Sequence, residues 1–227
     1  QTGYGRDTVN GGEGNDIAYG GRDSDYMDGG PGDDTLSGDE EGDTVQGREG
    51  NDQLAGGSGG DGVFGNEGND VLNGGDGVDS VYGGEGDDQV STGGSFEPDL
   101  FLEDAKGDSG DDVLYGGPFR DELRGGQGND IMYGYQGNDV IRGEADIDVA
   151  SGGEGSDDIH GGTEEDTLSG DDGNDYLYGD EHDDWLLGGF GNDYLEGADG
   201  ADTLNGGPES DTCAGTDPPD VLIGCAP

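Results

Sequence analysis

The sequence predicts an all-β fold: a right-handed parallel β-roll, a solenoid of two facing sheets with 18 residues per coil. Three observations predict it. A nine-residue period runs through nearly the whole chain. Inside each unit, turn-forming residues fill the first six positions and an apolar residue holds the eighth. The composition excludes the main alternatives.

The period starts at Thr2. GGEGNDIAY (11–19) is followed by GGRDSDYMD (20–28) and GGPGDDTLS (29–37). Ten units fill 2–91 and thirteen more fill 107–223, which defines two blocks around an irregular insertion at 92–106. The first position is Gly in every unit except the first, which has Thr2, and the sixth is Asp in all 23. The eighth is apolar throughout, from Val9 and Ala18 to Cys213 and Leu222. Gly, Asn and Asp tolerate positive φ and tight turns, so positions one to six read as a turn. The last three positions are long enough only for a brief strand, with its middle side chain pointing in and its neighbours out. Two units then make one coil, and the two sheets face each other across the eighth-position residues. Eleven to twelve coils would stand roughly 55 Å tall at the ~4.8 Å strand spacing.

Composition narrows the choice. The 227 residues include 56 Gly and 7 Pro, and only 26% are hydrophobic. Glycine at this density excludes a helical bundle, because each costs about 1 kcal/mol in a helix. No apolar run approaches the ~20 residues of a membrane span. Against 57 acidic residues stand 7 basic ones, a net charge of −50. A surface this acidic repels phosphate, which argues against nucleic acid as a partner. The thin apolar column must also overcome this repulsion and the entropy of ordering the backbone. The sequence therefore calls for a bound cation at the turns. Aspartate supplies hard carboxylate oxygen, and glycine lets backbone carbonyls turn toward a shared centre. Six to eight oxygen ligands suit calcium. Magnesium prefers stricter geometry, and the zinc-type ligands His160, His182, Cys213 and Cys225 are scattered.

The pattern G-G-x-G-x-D-x-U-x resembles the RTX, or haemolysin-type, calcium-binding repeat. GGEGNDIAY, GNEGNDVLN (65–73), GGQGNDIMY (125–133) and GGFGNDYLE (188–196) match it closely. The resemblance implies a parallel β-roll with calcium between the turns of units two apart, bound by sixth-position Asp and turn carbonyls. It assigns Asp7, Asp16, Asp25, Asp34, Asp43, Asp52, Asp61, Asp70, Asp79 and Asp88 in the first block as metal ligands. It assigns Asp112, Asp121, Asp130, Asp139, Asp148, Asp157, Asp166, Asp175, Asp184, Asp193, Asp202 and Asp211 in the second block likewise. Asp16 would pair with Asp34 and Asp34 with Asp52 up one edge, with Asp7, Asp25 and Asp43 on the other. Asp220 is set aside because Pro218 and Pro219 would spoil its turn. About 15–20 calcium ions would bring the charge of −50 to roughly −20 to −10 and make binding and folding one event.

The two edges differ. In the first block the fifth position is Asn15, Asp33, Asn51, Asn69 and Asp87 on one edge. It is Arg6, Ser24, Gly42, Gly60 and Val78 on the other. The tighter calcium edge is expected to be the first of these, with Asp23 and Glu41 at fourth positions adding ligands to the weaker edge or distorting it. The insertion TGGSFEPDLFLEDAK contains the apolar Leu100, Phe101 and Leu102. It reads either as an irregular coil, with Asp99 in the sixth position, or as a bulge between two calcium-loaded blocks. One added strand would swap the edges beyond it.

Cys213 lies at an inward position and Cys225 twelve residues later. A tail tied by a Cys213–Cys225 disulfide would cap the exposed edge of the last coil (213–227), and implies an oxidising, extracellular setting. Exporters of RTX toxins read a cysteine-free tail, so this end fits better with a cleaved Sec-type signal and a mature start at Gln1.

Outward aromatics recur eighteen apart, as in Phe64 and Tyr82, Tyr115 and Tyr133, and Tyr176 and Tyr194, while Trp185 and Leu187 flank the inward Leu186. They read as cross-strand pairs, or as a face for self-association, glycan or surface contact. No regular threonine ladder favours ice. His160 and His182 lack a Ser or Cys partner, and the glycine runs lack a P-loop lysine, so no enzyme is expected. The leading reading is a secreted calcium-binding structural element: a stalk, matrix or surface component. The alternatives are the calcium-dependent appendage of a larger secreted enzyme, adhesin or toxin, and a self-assembling fibre subunit.

Overall fold

The computed structural model describes residues 3–94, 103–215 and 220–225. Among these the chain forms strands β1 (Thr8–Asn10) to β24 (Val221–Ile223), with no helix. The odd-numbered strands make one twelve-stranded sheet and the even-numbered strands another. Every pairing is parallel. Successive strands of a sheet lie 18 residues apart, as in Thr35↔Gln53 and Tyr26↔Thr44. Each pair of units is thus one coil of a solenoid.

The eighth-position residues form the core. Nineteen of them, from Met27 to Leu204, and Ala105 of the insertion are buried in one continuous column, with Val9, Ala18 and Cys213 packed at its ends. Leu222 departs from the expectation: it is 49% exposed.

The strands are longer than three residues. Most run for five to seven, through the two following glycines and into the third position, as in Thr35–Glu40. In these longer strands the first-position residue, Gly in all but Gln89–Gly93, where it is Thr92, is buried, so the turn proper is only positions four to six. Those positions are paired as well. In the turn Gly32–Asp34, the Gly32 amide donates to Glu49 O at 2.7 Å. The Asp33 amide donates to Asn15 Oδ1 at 3.1 Å, and the Asp34 amide to Asp52 Oδ1 at 2.7 Å. Side chains supply the acceptors that the bend of the chain removes.

The insertion contributes one strand. β9 (Ser80–Glu85) pairs with β11 (Glu103–Ser109) at an offset of 24, as does β10 (Gln89–Gly93) with β12 (Val113–Tyr115). Six extra residues are therefore absorbed in one turn while the ladder continues unbroken. The edges swap beyond it, as one added strand requires: GYQGND (134–139) now leads into an odd strand, β15 (Val140–Ala145). Asp99, Leu100, Phe101 and Leu102 lie outside the described residues. The sixth-position place in β11 belongs to Glu103, opposite Asp121.

At the far end, a Cys213–Cys225 disulfide joins Cα atoms 5.6 Å apart. A parallel bridge between Asp211 and Cys225 lays the tail along β23 (Thr212–Ala214), the last strand of the odd sheet.

Candidate metal centres along the two turn edges

Each turn edge carries a file of carboxylates. On the edge leading into even strands, the amide of each sixth-position Asp donates to Oδ1 of the next. The file runs unbroken from Asp16 through Asp34, Asp52, Asp70, Asp88, Asp112, Asp130, Asp148, Asp166, Asp184 and Asp202 to Asp220. The other edge links Asp7, Asp25, Asp43, Asp61 and Asp79. It resumes from Asp121 through Asp139, Asp157, Asp175 and Asp193 to Asp211. Glu103 lies between the two runs, 3% exposed. All 22 sequence-assigned residues thus stand in two files. All but Asp7 and Asp16 are buried.

Asp220 also joins its file, accepting from the Asp202 amide at 3.2 Å, although Pro218 and Pro219 lie outside the described residues. Glu103 escaped the sequence reading. Counting back four places from Gly107 would have found it.

The second carboxylate oxygen defines the site. In nearly every member from Asp16 to Asp220, Oδ2 is buried with no hydrogen-bond partner. In Asp121 the roles reverse: Oδ2 accepts from the Gly117 amide at 2.6 Å and Oδ1 is left without a partner. The first-position glycine forms the other wall. A Cβ on Gly20 would lie 2.7 Å from Asp25 Oδ2 and 2.6 Å from the Gly38 carbonyl. Glycine is required there for space, whereas at positions two and four it serves positive φ. Gly12 and Gly14 both have φ of 103°. Asp23 and Glu41 take φ of 71° and 75° at the fourth position, and Asp23 Oδ2 accepts from the Gly5 amide at 2.9 Å.

These carboxyls are held far from their ordinary range. Burial pushes Asp88, Asp139 and Asp148 up to about 8. Asp130, Asp166, Asp175 and Asp184 rise to about 7. Asp43, Asp52, Asp61, Asp79, Asp112, Asp121 and Asp157 rise to about 6. In each the backbone amide pulls the other way and loses to desolvation, and in most neighbouring acids add to the rise. A buried, unpaired carboxylate is costly, and a bound cation is one of the few partners that removes the cost.

The donor set fits calcium. It consists of hard oxygen, from carboxylates and backbone carbonyls facing each first-position glycine. Among the described residues no three His, Cys, Asp or Glu side chains cluster as a metal cage, so backbone oxygens must complete any site. His160 stands on an outward strand face beside Asp158 and Asp180, and His182 lies in a turn accepting from the Glu164 amide at 3.2 Å.

The fifth-position asymmetry also has a structural cause. Asn15, Asp33, Asn51, Asn69, Asp87, Asp111 and Asn129 each accept, through Oδ1, the amide of the same position in the next coil. Beyond the edge swap, Asn138 and Asn174 do this on the other edge. This file runs opposite in sense to the aspartate file beside it.

The outward aromatics pair as their spacing requires. Phe64 and Tyr82 stack at 5.3 Å, Tyr115 and Tyr133 at 5.8 Å, and Tyr176 and Tyr194 lie 6.1 Å apart. Among the described residues no helix is long and apolar enough to cross a membrane.

Comparison with known proteins agrees with this geometry. No curated protein matches the chain. The family profile of the RTX calcium-binding nonapeptide repeat (4 copies) matches in overlapping stretches that together span 1–95 and 106–213. With buried, unpartnered carboxylates at the repeat's own aspartates, the chain belongs to the RTX calcium-binding nonapeptide repeat family.

Proposed function

We propose that this is an extracellular structural element, a stiff stalk, matrix or surface component, whose folding is driven by calcium. One observation carries the reading. Two files of carboxylates are buried with one oxygen each lacking a partner, along both edges of a solenoid with net charge −50. No such fold is comfortable at neutral pH without counter-charge.

The 22 assigned aspartates would hold the ions, with Glu103 and Asp220 as further members and backbone carbonyls completing each site. Bound calcium supplies positive charge at the buried oxygens. The chain's own residues do the rest. Amide donation fixes each Oδ1, first-position glycine keeps the space open, and the inward column holds successive turns in register. Roughly 15–20 ions would suffice for the files as built. Inside a cell, where free calcium is scarce, the chain would stay unfolded and −50 charged, and it would fold on reaching millimolar calcium outside. The disulfide supports an oxidising destination.

The test is far-UV circular dichroism during a calcium titration of the disulfide-intact chain, with magnesium as control. A cooperative coil-to-β transition with calcium alone is expected. A complete fold in chelator would overturn the coupling.

A further inference from the structure

The two sheets present different outer faces. On the even sheet, none of the residues flanking an inward side chain, from Ile17 and Tyr19 to Val221 and Ile223, is charged, in a chain that is 28% charged overall. Ile, Val, Leu, Tyr and Trp share these places with Thr, Ser, Asn, Gln and one Ala. On the odd sheet the equivalent places include Asp28, Asp104, Glu122, Arg124, Arg142 and Glu196. The apolar residues of the even face are open to solvent: Ile17 is 71% exposed and Trp185 59%, and Val71 and Val149 are exposed as well.

Tyr135 adds to this face against its backbone preference. It stands at a second position, where most even strands have Gly, and takes φ of 73°. A bulky side chain is strained there. Its ring nevertheless lies exposed on the outer surface, stacked with Tyr115 at 6.4 Å and Tyr133 at 6.1 Å. The nearest acids keep to the margin. Asp39 and Asp171, also at second positions, are each held by a serine: Ser37 Oγ donates to Asp39 at 2.6 Å and Ser169 Oγ to Asp171 at 2.8 Å. Glu40, Asp76, Glu154 and Asp172 lie one place further on, exposed beside the turns.

We propose that the even face is an interface for a second copy of this chain, two rods packing sheet against sheet. The proposal rests on the calcium-loaded reading above, because two chains of net charge −50 would repel each other. With the edges filled, the remaining charge is screened over about 8 Å at physiological salt. Three features select this occupant. A centre without charge, rich in aromatic rings and bordered by acids, has the composition of a protein interface. Its area suffices: roughly 55 Å of height by about 13 Å of outward-facing strand gives about 700 Å² per copy. Two such faces bury about 1,400 Å², within the ~1,200–2,000 Å² of stable complexes. Length then names the partner. Charge is kept off the whole height of the rod, whereas a small ligand needs only one patch. A second copy offers the same height and the same ~4.8 Å strand spacing, so the two faces match at every coil. A lipid surface fits less well, because polar side chains lie among the apolar ones along the whole face.

The experiment is sedimentation velocity of the calcium-loaded, disulfide-intact chain over about 1–100 μM, a range that brackets a micromolar dimer. A reversible monomer–dimer equilibrium is expected. Trp185 is the chain's one tryptophan, and its emission should shift to the blue as the dimer forms and return on dilution. The double variant Val71→Glu/Val149→Glu places like charges in the interface and should weaken the dimer at least about tenfold. Tyr176→Glu, exposed on the odd face, should dimerise as the parent does. A folded chain that stays monomeric at 100 μM would overturn the proposal. So would a dimer that the double variant leaves intact, or one that Tyr176→Glu weakens as much. Circular dichroism on the same samples, with and without calcium, reports folding separately. A chain already folded in chelator would overturn the coupling and still leave sedimentation in calcium to decide on the face.

Discussion

The amide of Asp52 donates to Oδ1 of Asp70 at 2.7 Å, and Oδ2 of the same Asp70 is buried with no partner. One carboxylate thus has two tasks: it ties one coil to the next, and it faces a site that wants a cation. The two tasks can be separated by substitution.

Asp70→Asn keeps an oxygen for the Asp52 amide and removes the charge. The calcium midpoint is expected to rise at least about threefold, with little loss of the β signal at saturation. Asp70→Ala also strands the Asp52 amide and should cost a further ~1–3 kcal/mol of calcium-loaded stability. Calcium titrations and thermal melts by circular dichroism check both.

A second prediction concerns space. A Cβ on Gly56 would lie 2.5 Å from both Asp61 Oδ2 and the Gly74 carbonyl, so Gly56→Ala should destabilise the calcium-loaded fold by about 1–3 kcal/mol. At the outward Gly62 the nearest atom is the Phe64 ring at 3.1 Å, and Gly62→Ala should change stability by less than about 0.5 kcal/mol. Equal effects at the two sites would remove the argument for a fixed cradle.

Acidity should act in an unusual direction. Asp88, Asp139 and Asp148 titrate near 8 in the metal-free fold, against 3.8 in their ordinary state. Between those values the folded chain binds more protons than the unfolded one, so stability falls as pH rises. The penalty is absent below about 3.8 and complete above about 8. In chelator, β structure should therefore grow as pH is lowered from 8 toward 4. In calcium the dependence should reverse, because protons compete with the ion for the same oxygens. Circular dichroism across pH in both conditions checks the pair of slopes.

Much of this was legible in the sequence, because a nine-residue period leaves few ways to arrange turns and strands. The Asp columns and the inward column follow from it, and the Cys213–Cys225 link from the open edge of the last coil. Strand length did not, since Gly at the first two positions resembles a turn residue until the neighbouring coil supplies ladder partners. Glu103 was hidden because Asp99, standing just before the apolar Leu100, Phe101 and Leu102, offered itself for the sixth position. The Asn15-to-Asn129 file was visible as a preference, yet its cause is a hydrogen bond to a residue eighteen places away, which no local pattern shows.

A fourth prediction concerns the end of the chain. Cys225→Ser releases the segment bridged to Asp211, at a local cost on the order of 3 kcal/mol. Coils interact with their neighbours only, so the loss should stay local. Hydrogen exchange should rise over 203–225 and remain unchanged around Leu114. Loss of protection throughout would show a cooperative unit far longer than a coil.

Between Gly93 and Glu103 the chain takes six residues more than any other turn, yet the strands on either side keep their partners. What defines a coil is therefore the ladder and not the length of chain that closes it. Closing a longer loop costs only about 0.6 kcal/mol per doubling. The turns of this solenoid are sockets: a foreign peptide grafted at the same place would be displayed from the odd edge at a fixed height on the rod, without disturbing the coils above or below.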